Sequence, residues 1–267
     1  KATANHRIMT TQGWVELSQL QQGDKIHVLN RKGGFGSAGS LALGRTVGWL
    51  VGDGTFNMAE GAGLMFFGEE QELAPDFAGY VNEVVGVENH QNRFAPTRSY
   101  EVGVQSLPQR NESRVVSTRL KSKLAELGVV AKDAVPEIVL LGSEETQKGF
   151  LQGLFSSDGT VLDTVDKGVS VRLWSAKEPL LKDVQRLLLN FGIASKVYTN
   201  RKKAGYKGMP DGKGGEKMYF TQAGHELTIS KNNLLRFQTE IGFLQAAKAE
   251  KLANALESYG NRGPYAE

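Results

Sequence analysis

The sequence predicts an α+β fold made of two copies of one unit, and three observations support this. A segment ending in Asp-Gly-Thr recurs 105 residues later in the chain. The patterns that follow each copy, an apolar-periodic helix, strand-like runs and a further helix, recur in the same order. The runs between helices are short and alternate apolar with polar residues, which is typical of antiparallel strands. Each repeat should read helix, strands, helix, strands, helix around a curved antiparallel sheet.

The first helix of each repeat is predicted from the recurring segment, Gly44–Thr55 and Gly149–Thr160. A stripe of very small residues lies at every fourth position, namely Gly44, Gly48 and Gly52 in one copy and Gly149, Gly153 and Ser157 in the other. Glycine costs a helix about 1 kcal/mol per site, so the stripe needs a packing reason. For a single copy, crowding against another part of the core would suffice. Two copies in one register favour parallel helices packed on each other, with Asp53 and Asp158 side by side at their ends.

The later elements of each repeat follow from apolar spacing and turn residues. Helices are predicted over Phe77–Val85 and Leu180–Phe191, and again within Ser117–Gly128 and Ser230–Gly242, each of the last two after a serine that ends a strand. Strands are predicted at Gly63–Phe67, Tyr100–Val104, Val169–Trp174 and Glu226–Ile229.

Two neighbouring acids at helix C-termini predict a bound cation. An aspartate there meets the negative end of the helix dipole, and two carboxylates 4 Å apart repel by about 4 kcal/mol at an effective dielectric near 20. Either one acid stays protonated or a cation lies between them. Carboxylates, water and backbone carbonyls, here those of Gly52 and Ser157, suit Mg²⁺ or Ca²⁺. Zinc has no support, because cysteine is absent and none of the four histidines pairs with another at helical spacing.

Composition limits the class of protein. The 267 residues are 40% hydrophobic and 23% charged, enough for one large core or two smaller ones and too apolar for a disordered chain. The lack of cysteine excludes disulfides and thiolate chemistry and fits an intracellular, cytoplasmic protein. No run of 18 apolar residues exists, so no membrane partner is expected.

Positive charge is concentrated in two strand-like stretches, although the net charge is only +3. Asn200–Lys217 carries six basic residues against two acids, and Glu88–Arg119 carries five arginines against three glutamates. Two solvated basic loops would explain this pattern. The alternative is two hairpins that neutralise DNA phosphates. Carboxylates that bind metal beside such hairpins favour phosphodiester hydrolysis.

These residues resemble the LAGLIDADG homing endonucleases. Leu151–Gly159 follows the nine-residue signature at six places if Phe155 is allowed for isoleucine, and Thr46–Gly54 keeps its third glycine and final Asp-Gly. The likeness covers roughly Leu41 to Tyr259. It implies that the signature helices form the interface between the repeats, that Asp53 and Asp158 bind Mg²⁺, and that the sheets form a saddle over the DNA major groove. Mn²⁺ is expected to substitute, and Ca²⁺ to bind without turnover.

The resemblance also implies a basic residue near each metal to polarise the attacked phosphate. Lys132, ahead of Val135-Pro136, resembles one such lysine. Its counterpart in the second repeat is assigned to Lys248, with Lys251 as a nearby rival because the spacing differs between repeats. For each lysine the alternative is an ordinary solvated surface residue.

DNA contacts are expected from the strands and hairpins of the saddle. The candidates are Arg93, Arg98 and Arg110 in the first repeat, and Arg172, Arg201, Lys202, Lys203 and Lys207 in the second. Arginine commonly reads guanine, whereas lysine mainly holds phosphates. Because the two repeats differ in sequence, the target should be long and only pseudo-palindromic.

The first residues resemble a different family. Thr3 and His6 match the Thr-x-x-His block of intein splicing domains, but no nucleophile precedes them and no terminal His-Asn closes the chain, so autonomous splicing is not expected. The predicted organisation is a partial splicing segment (1–32), a flexible glycine-rich linker (33–40), repeat 1 (41–136), repeat 2 (137–259) and an exit linker (260–267).

Together with these resemblances, the sequence therefore predicts a monomeric, intein-derived, Mg²⁺-dependent endonuclease that cuts both strands of a specific DNA site. The alternative is a protein that binds nucleic acid on the same scaffold without cutting, as a maturase or a regulator does.

Overall fold

The computed structural model describes residues 2–27, 32–58, 61–86, 88–92, 95–164, 168–210 and 215–260. An N-terminal hairpin, β1 (Arg7–Thr10) and β2 (Gly13–Glu16), precedes the two repeats. No helix among the described residues has both the length and the apolar content needed to span a membrane.

Repeat 1 comprises α1 (Leu41–Asp53), β3 (Gly54–Met58), β4 (Gly61–Phe67), α2 (Ala74–Val85), β5 (Glu88–Asn92), β6 (Ala95–Tyr100), β7 (Val104–Leu107), β8 (Glu112–Ser117) and α3 (Thr118–Glu126). A 3-10 turn, Gly68–Leu73, joins β4 to α2, and another, Pro108–Arg110, joins β7 to β8. The Ser117 hydroxyl accepts the Leu120 N–H at 3.1 Å and so caps α3, as expected for a serine at the end of a strand.

Repeat 2 comprises α4 (Glu137–Leu140), α5 (Glu144–Asp158), β9 (Gly159–Thr164), β10 (Gly168–Ser175), α6 (Glu178–Asn190), β11 (Lys196–Lys202), β12 (Gly205–Pro210), β13 (Glu216–Thr221), β14 (Gly224–Ser230), α7 (Asn233–Glu240) and α8 (Ala246–Gly260). Only two residues join β10 to α6, where repeat 1 has its six-residue 3-10 turn.

The two main sheets share one topology. Their strand orders are β3-β4-β8-β7 and β9-β10-β14-β11, and every pairing is antiparallel. Gly54 pairs with Leu64, which pairs with Val115; Gly159 pairs with Leu173, which pairs with Leu227. This common register confirms the predicted α+β fold with two antiparallel repeats. The additional hairpins differ in position: β5–β6 precedes the third strand of repeat 1, whereas β12–β13 lies between the third and fourth strands of repeat 2.

One face of each sheet is covered by helices and contributes to the core. In repeat 1, Trp49 of α1 stacks on Phe66 of β4 at 4.7 Å and packs against Phe77 of α2 at 4.8 Å. In repeat 2, Phe155 of α5 meets Phe237 of α7 at 5.0 Å. All of these side chains are fully buried. The opposite face of each sheet, here called the outer face, carries the residues that alternate with the buried ones.

Two local predictions are wrong. Tyr100–Val104 is not one strand, since β6 ends at Tyr100 and β7 begins at Val104. The glycine-rich segment 33–40 is not a free linker, because the Gly33 and Gly36 amides donate to the carbonyls of Asn190 and Gly142 at 2.9 and 2.8 Å. A Cβ on Gly36 would lie 1.9 Å from the Leu141 carbonyl oxygen, so glycine lets this segment lie directly against repeat 2.

Candidate active site at the crossing of two glycine-striped helices

The two signature helices pack backbone to backbone. A Cβ on Gly48 would lie 2.2 Å from the Phe150 carbonyl oxygen, and one on Gly153 would lie 2.5 Å from the Arg45 carbonyl oxygen. Along α1, Gly44 faces Thr146, Gly48 faces Phe150 and Gly52 faces Ser157. Partners that advance in the same direction along both chains show that the helices are parallel. The small-residue stripes therefore pack on each other, as the repeat predicted.

This packing brings the two C-terminal acids to one place. Asp53 and Asp158 are the last residues of α1 and α5, and the glycine after each begins the first strand of its sheet. A Cβ on Gly52 would lie 3.4 Å from the Asp158 Oδ2, so the carboxylate of one helix lies beside the last turn of the other. The site thus lies at the seam between the repeats, next to the first strands of both sheets.

The carboxyl groups of both acids are harder to ionise than a free aspartate. Asp158 as a whole residue is exposed, but protein atoms surround its carboxyl group. This burial, together with the charge of Asp53, raises the pKa of Asp158 to about 6. Burial also raises the pKa of Asp53, against the opposing effect of Lys132 and Lys248. A carboxyl with a raised pKa next to a second acid is a site that a cation would stabilise.

Each acid is accompanied by a lysine that binds the end of its own helix. Lys132, in the loop before α4, donates from Nζ to the Gly52 carbonyl at 2.9 Å and to that of Gly54. Lys248, in the first turn of α8, donates to the Ser157 carbonyl at 2.9 Å and to that of Ser156. Both ammonium groups therefore lie at the negative end of a helix dipole. Lys132 lies in a loop and Lys248 in a helix, but each follows the helix after the last strand of its repeat, α3 or α7, and both reach the same arrangement.

The lysines are held in a partly desolvated position. Burial lowers the pKa of Lys132 and of Lys248, while the nearby carboxylates of Asp53 and Asp158 oppose this effect. The rival Lys251 is exposed one turn further along α8, on a shallow cleft of about 570 Å³ with Asp163 and Glu250. The geometry thus singles out Lys248 as the partner of α5.

A third acid at the site, Glu70, was not predicted from the sequence. It lies in the 3-10 turn after β4, with its Oε1 3.9 Å from the Lys248 Nζ. Burial raises its pKa, Asp53 adds to this effect, and the Phe67 amide and Lys248 oppose it. In the next residues of the turn, Glu72 accepts the Ala246 amide of α8 at 3.4 Å. A turn of repeat 1 therefore reaches the site of repeat 2.

The equivalent connection in repeat 2 has the opposite charge. Lys177, between β10 and α6, pairs with Asp133 at 2.8 Å, and Asp133 is the neighbour of Lys132. Both partners are more than half exposed, so the pair contributes little to stability. The third carboxylate is thus present beside Lys248, and the connection from β10 to α6 carries no counterpart of it.

The donor set fits a hard cation that brings ligands of its own. Among the described residues, no group of three or more histidine, aspartate or glutamate side chains is arranged to hold a metal. Two carboxylates with the carbonyl oxygens of Gly52 and Ser157 are available at the seam, and each of these carbonyls already accepts one lysine hydrogen bond. Mg²⁺ is commonly held by one or two carboxylates, with water and substrate phosphate completing its shell.

The candidate DNA contacts of repeat 2 share one surface. Arg172 is on the outer face of β10, and Arg201 and Lys202 are at the end of β11. Arg201 stacks over Tyr198 at 4.6 Å, and Lys202 lies over Trp174 at 5.5 Å. Lys203 and Lys207 are exposed on the ribbon that continues into β12 and β13. Sequence inspection did not single out Trp174, which is 41% exposed, although alternation with Leu173 places it on the outer face.

The candidates of repeat 1 are less completely placed. Arg93 lies outside the described residues; Arg98 is in β6, where the backbone alone is described; Arg110 is exposed in the turn between β7 and β8. Arg114 was not among the candidates, yet it is on the outer face of β8, paired across the sheet with Met65 and bonded to Glu112.

The two residues of the splicing-type motif lie apart from this site. The His6 amide donates to the Thr3 carbonyl at 3.0 Å in a turn before β1, and both side chains are exposed. No pairing between this hairpin and either main sheet occurs among the described strands.

Several known proteins resemble this chain, over segments of different length. Residues 145–242 match the LAGLIDADG-like domain family. The NrdEB α subunit of the ribonucleoside-diphosphate reductase from Bacillus subtilis is 30% identical over 230 residues, covering 82% of this chain and 20% of that protein. The replicative DNA helicase DnaB of Rhodothermus marinus is 26% identical over 265 residues, 96% of this chain and 26% of that protein. A DNA polymerase of Thermococcus litoralis is 28% identical over 218 residues, 79% of this chain and 11% of that protein.

The chain therefore spans about a quarter or less of each of these relatives. Among solved structures, mesophilic variants of the homing endonuclease I-DmoI superpose with a TM-score of 0.48 at 18% identity, over 80% of this chain and 97% of that one. Full-length DUF199/WhiA gives a TM-score of 0.45 at 14% identity, over 83% of this chain and 62% of that one.

Proposed function

We propose that this chain is a site-specific DNA endonuclease that hydrolyses both strands of a duplex with Mg²⁺. The observation that carries the proposal is the pair of acids at the ends of two parallel helices, each with a lysine on the carbonyls of its own helix. Two half-sites with their own acid and lysine match the two phosphodiester bonds of a double-strand cut. The match of residues 145–242 to the LAGLIDADG-like domain family supports the same function.

In the proposed mechanism, Asp53 and Asp158 would hold the cations, with the Gly52 and Ser157 carbonyls as further oxygen donors. Bound divalent cations would supply charge stabilisation at the phosphate and an activated water. Lys132 and Lys248 would each use a remaining N–H to contact a phosphate oxygen and stabilise the negative charge that develops there. The helix carbonyls fix both ammonium groups before DNA arrives, so little reorganisation is needed at the moment of reaction.

DNA would lie along the outer faces of the two sheets. In repeat 2 this face presents Arg172, Arg201 and Lys202, and the basic ribbon beyond it extends the contact to Lys203 and Lys207. In repeat 1 Arg98, Arg110 and Arg114 would serve this purpose, with Arg93 a candidate outside the described residues. One chain carries both half-sites, which supports a monomer acting on a pseudo-palindromic target.

An origin as an inserted element would explain the pattern of relatives. Between 79% and 96% of this chain matches 11–26% of three proteins with different names, a reductase subunit, a helicase and a polymerase. A segment that moves between host genes would give this result, whereas descent of a whole enzyme would not. The Thr3 and His6 motif at the start supports an intein as that element.

The test is cleavage of a plasmid library that carries a randomised site. Incubation with Mg²⁺ should linearise a subset of plasmids that share one long site, and EDTA should abolish the product. Ca²⁺ in place of Mg²⁺ should give sequence-selective gel shifts without cutting. If the folded protein enriches a site in gel shifts but leaves it intact in Mg²⁺ and in Mn²⁺, then it is a binding protein on this scaffold and not an endonuclease.

A further inference from the structure

An acid lies in the middle of the basic outer face of repeat 2. Glu226 of β14 pairs across the sheet with Trp174 on one side and Tyr198 on the other, and its side chain is 13% exposed. It alternates with the fully buried Leu227, so it points away from the core. A carboxylate on a surface that meets DNA phosphates weakens binding by repulsion, and its presence there needs an explanation.

Glu226 holds two of the candidate arginines at once. Its Oε1 accepts a hydrogen bond from the Arg172 Nη1 at 3.3 Å and lies 2.9 Å from the Arg201 Nε. Each arginine has a second contact that restrains it, from the Arg172 Nε to the Ser170 hydroxyl at 3.0 Å and from the Arg201 guanidinium to the Tyr198 ring at 4.6 Å. Two cations from different strands are therefore fixed around one acid.

These contacts leave N–H groups of both arginines available for hydrogen bonds to DNA bases. Glu226 engages Arg201 through Nε, at the base of the guanidinium, and within the described part of the chain the two terminal amino groups of Arg201 have no hydrogen-bond partner. Arg172 donates through Nη1 and Nε, which leaves its Nη2 for a base. A pair of terminal amino groups in a fixed plane matches the O6 and N7 acceptors of guanine in the major groove. An arginine held in one orientation loses less side-chain entropy on contact than a mobile one.

Repeat 1 has a different residue at the equivalent position of its sheet. By sheet register the residue equivalent to Glu226 is Arg114, since Met65 pairs with Arg114 where Trp174 pairs with Glu226. Arg114 is bonded to Glu112 of its own strand, a buried acid. Each outer face thus has a carboxylate that orients arginine, one arginine in repeat 1 and two in repeat 2.

We propose that Glu226 is a positioning residue for sequence recognition, which orients Arg172 and Arg201 to read guanines in the half-site bound by repeat 2. The inference rests on the proposed binding of duplex DNA by the outer faces. Glu226 itself touches no base in this arrangement. It lowers affinity for DNA of any sequence and raises the preference for guanine at two positions.

The experiment uses the intact chain with Ca²⁺ and a randomised duplex pool, so that binding is selected without cutting. Base preference at every position of the selected site is then compared among wild type, Glu226→Gln and Arg201→Lys. Glu178→Gln, which removes an acid from a partly exposed ion pair with Lys182 on α6, is the matched control. Thermal unfolding of every variant is measured in parallel.

Wild type should prefer guanine about tenfold or more at two positions of one half-site. Glu226→Gln should reduce that preference at least about threefold at both positions, leave the others unchanged, and increase affinity for unselected duplex with a steeper salt dependence. Arg201→Lys should remove the preference at one of the two positions, and adding Glu226→Gln to it should change nothing more at that position.

A uniform loss of affinity with an unchanged base profile in Glu226→Gln would mean a merely structural acid and would overturn the inference. If that variant does not fold, an unchanged profile in Arg201→Lys overturns it equally. A wild type that selects no sequence at all contradicts the proposed function instead, so the two failures are distinguishable.

Discussion

The two candidate catalytic centres, one in each repeat, both contain a helix end, an acid and a lysine. They differ in the charged residues that lie near the lysine. Beside Lys248 the long turn of repeat 1 places Glu70, whereas the short connection of repeat 2 carries Lys177, which pairs with Asp133, the chain neighbour of Lys132. The core arrangement therefore follows from the duplicated helix, and its surroundings follow from connections that are not duplicated. Because the charged residues around the two centres differ, we expect the two DNA strands to be cut at unequal rates.

The helix crossing is the most symmetric part of the molecule, and overfilling it should cost the most. Gly48→Ala and Gly153→Ala each push a methyl group into a backbone carbonyl of the other helix, so each should destabilise the fold by about 3 kcal/mol or more. Gly79→Ala in α2 is the control, because its Cβ would meet open space and should stabilise by about 0.5–1 kcal/mol. Urea unfolding measures all three. Equal stability of Gly153→Ala and wild type would contradict direct helix contact.

Substitutions of the two lysines should affect the cutting of different DNA strands. Lys132→Met and Lys248→Met should each slow the cutting of a different strand by about a hundredfold, because each removes one preorganised charge at a phosphate. Strand-resolved kinetics on an end-labelled duplex measure this. Lys251→Met, one turn further along α8, should behave as wild type. Equal slowing by Lys251→Met and Lys248→Met would refute the assignment within α8.

Glu70 tests the asymmetry itself. Glu70→Gln removes the carboxylate that faces the Lys248 ammonium, so the strand that depends on Lys248 should be cut about tenfold more slowly while the other keeps its rate. The exposed neighbour Glu69→Gln is the matched control. Nicked plasmid should accumulate with Glu70→Gln. Equal slowing of both strands would show that Glu70 acts on the whole site and not on one half.

The smallest expected effect is on stability without metal. Because the pKa of Asp158 is raised to about 6 in the fold, its contribution favours the folded state below the unfolded pKa, about 3.9, and is lost as the pH rises to 6. In EDTA at pH 7.5, Asp158→Asn should therefore be more stable than wild type, by about 1 kcal/mol or less after solvent screening.

The same substitution should be neutral near pH 4, and Asp53→Asn should show a smaller gain of the same sign. Mg²⁺ should stabilise wild type at pH 7.5 and should stabilise Asp158→Asn much less. Thermal unfolding across pH, with Glu126→Gln as an exposed control, measures these differences. A wild type that is more stable than Asp158→Asn in EDTA at pH 7.5 would contradict the repulsion between the acids.

The duplicated features could be predicted from the sequence, because a stripe of small residues at helical spacing has few explanations. That stripe led to the parallel helices and to the neighbouring acids, and the common sheet register agrees with the predicted repeat. Lys248 and Lys251 could not be separated, since one turn of helix changes a side chain's surroundings but not its spacing pattern. The contact of Lys248 with the carbonyls of Ser156 and Ser157 separates them.

Features that depend on register or on connections were missed. Glu70 lies in a 3-10 turn that repeat 2 lacks, so self-similarity gave no signal for it. The role inferred for Glu226 depends on its contacts with arginines on two neighbouring strands, and only the strand pairing reveals these contacts. Segment 33–40 has a linker's composition, but its backbone amides bind repeat 2, which glycine permits and composition does not show.

The central claim, that Asp53 and Asp158 jointly form one cation-dependent cutting site, is tested most directly by Mg²⁺-dependent linearisation of a plasmid that carries the selected site. Wild type should give linear product, while Asp53→Asn and Asp158→Asn, both folded, should each give at least about a thousandfold less. Full-rate linearisation by either folded variant would contradict the account.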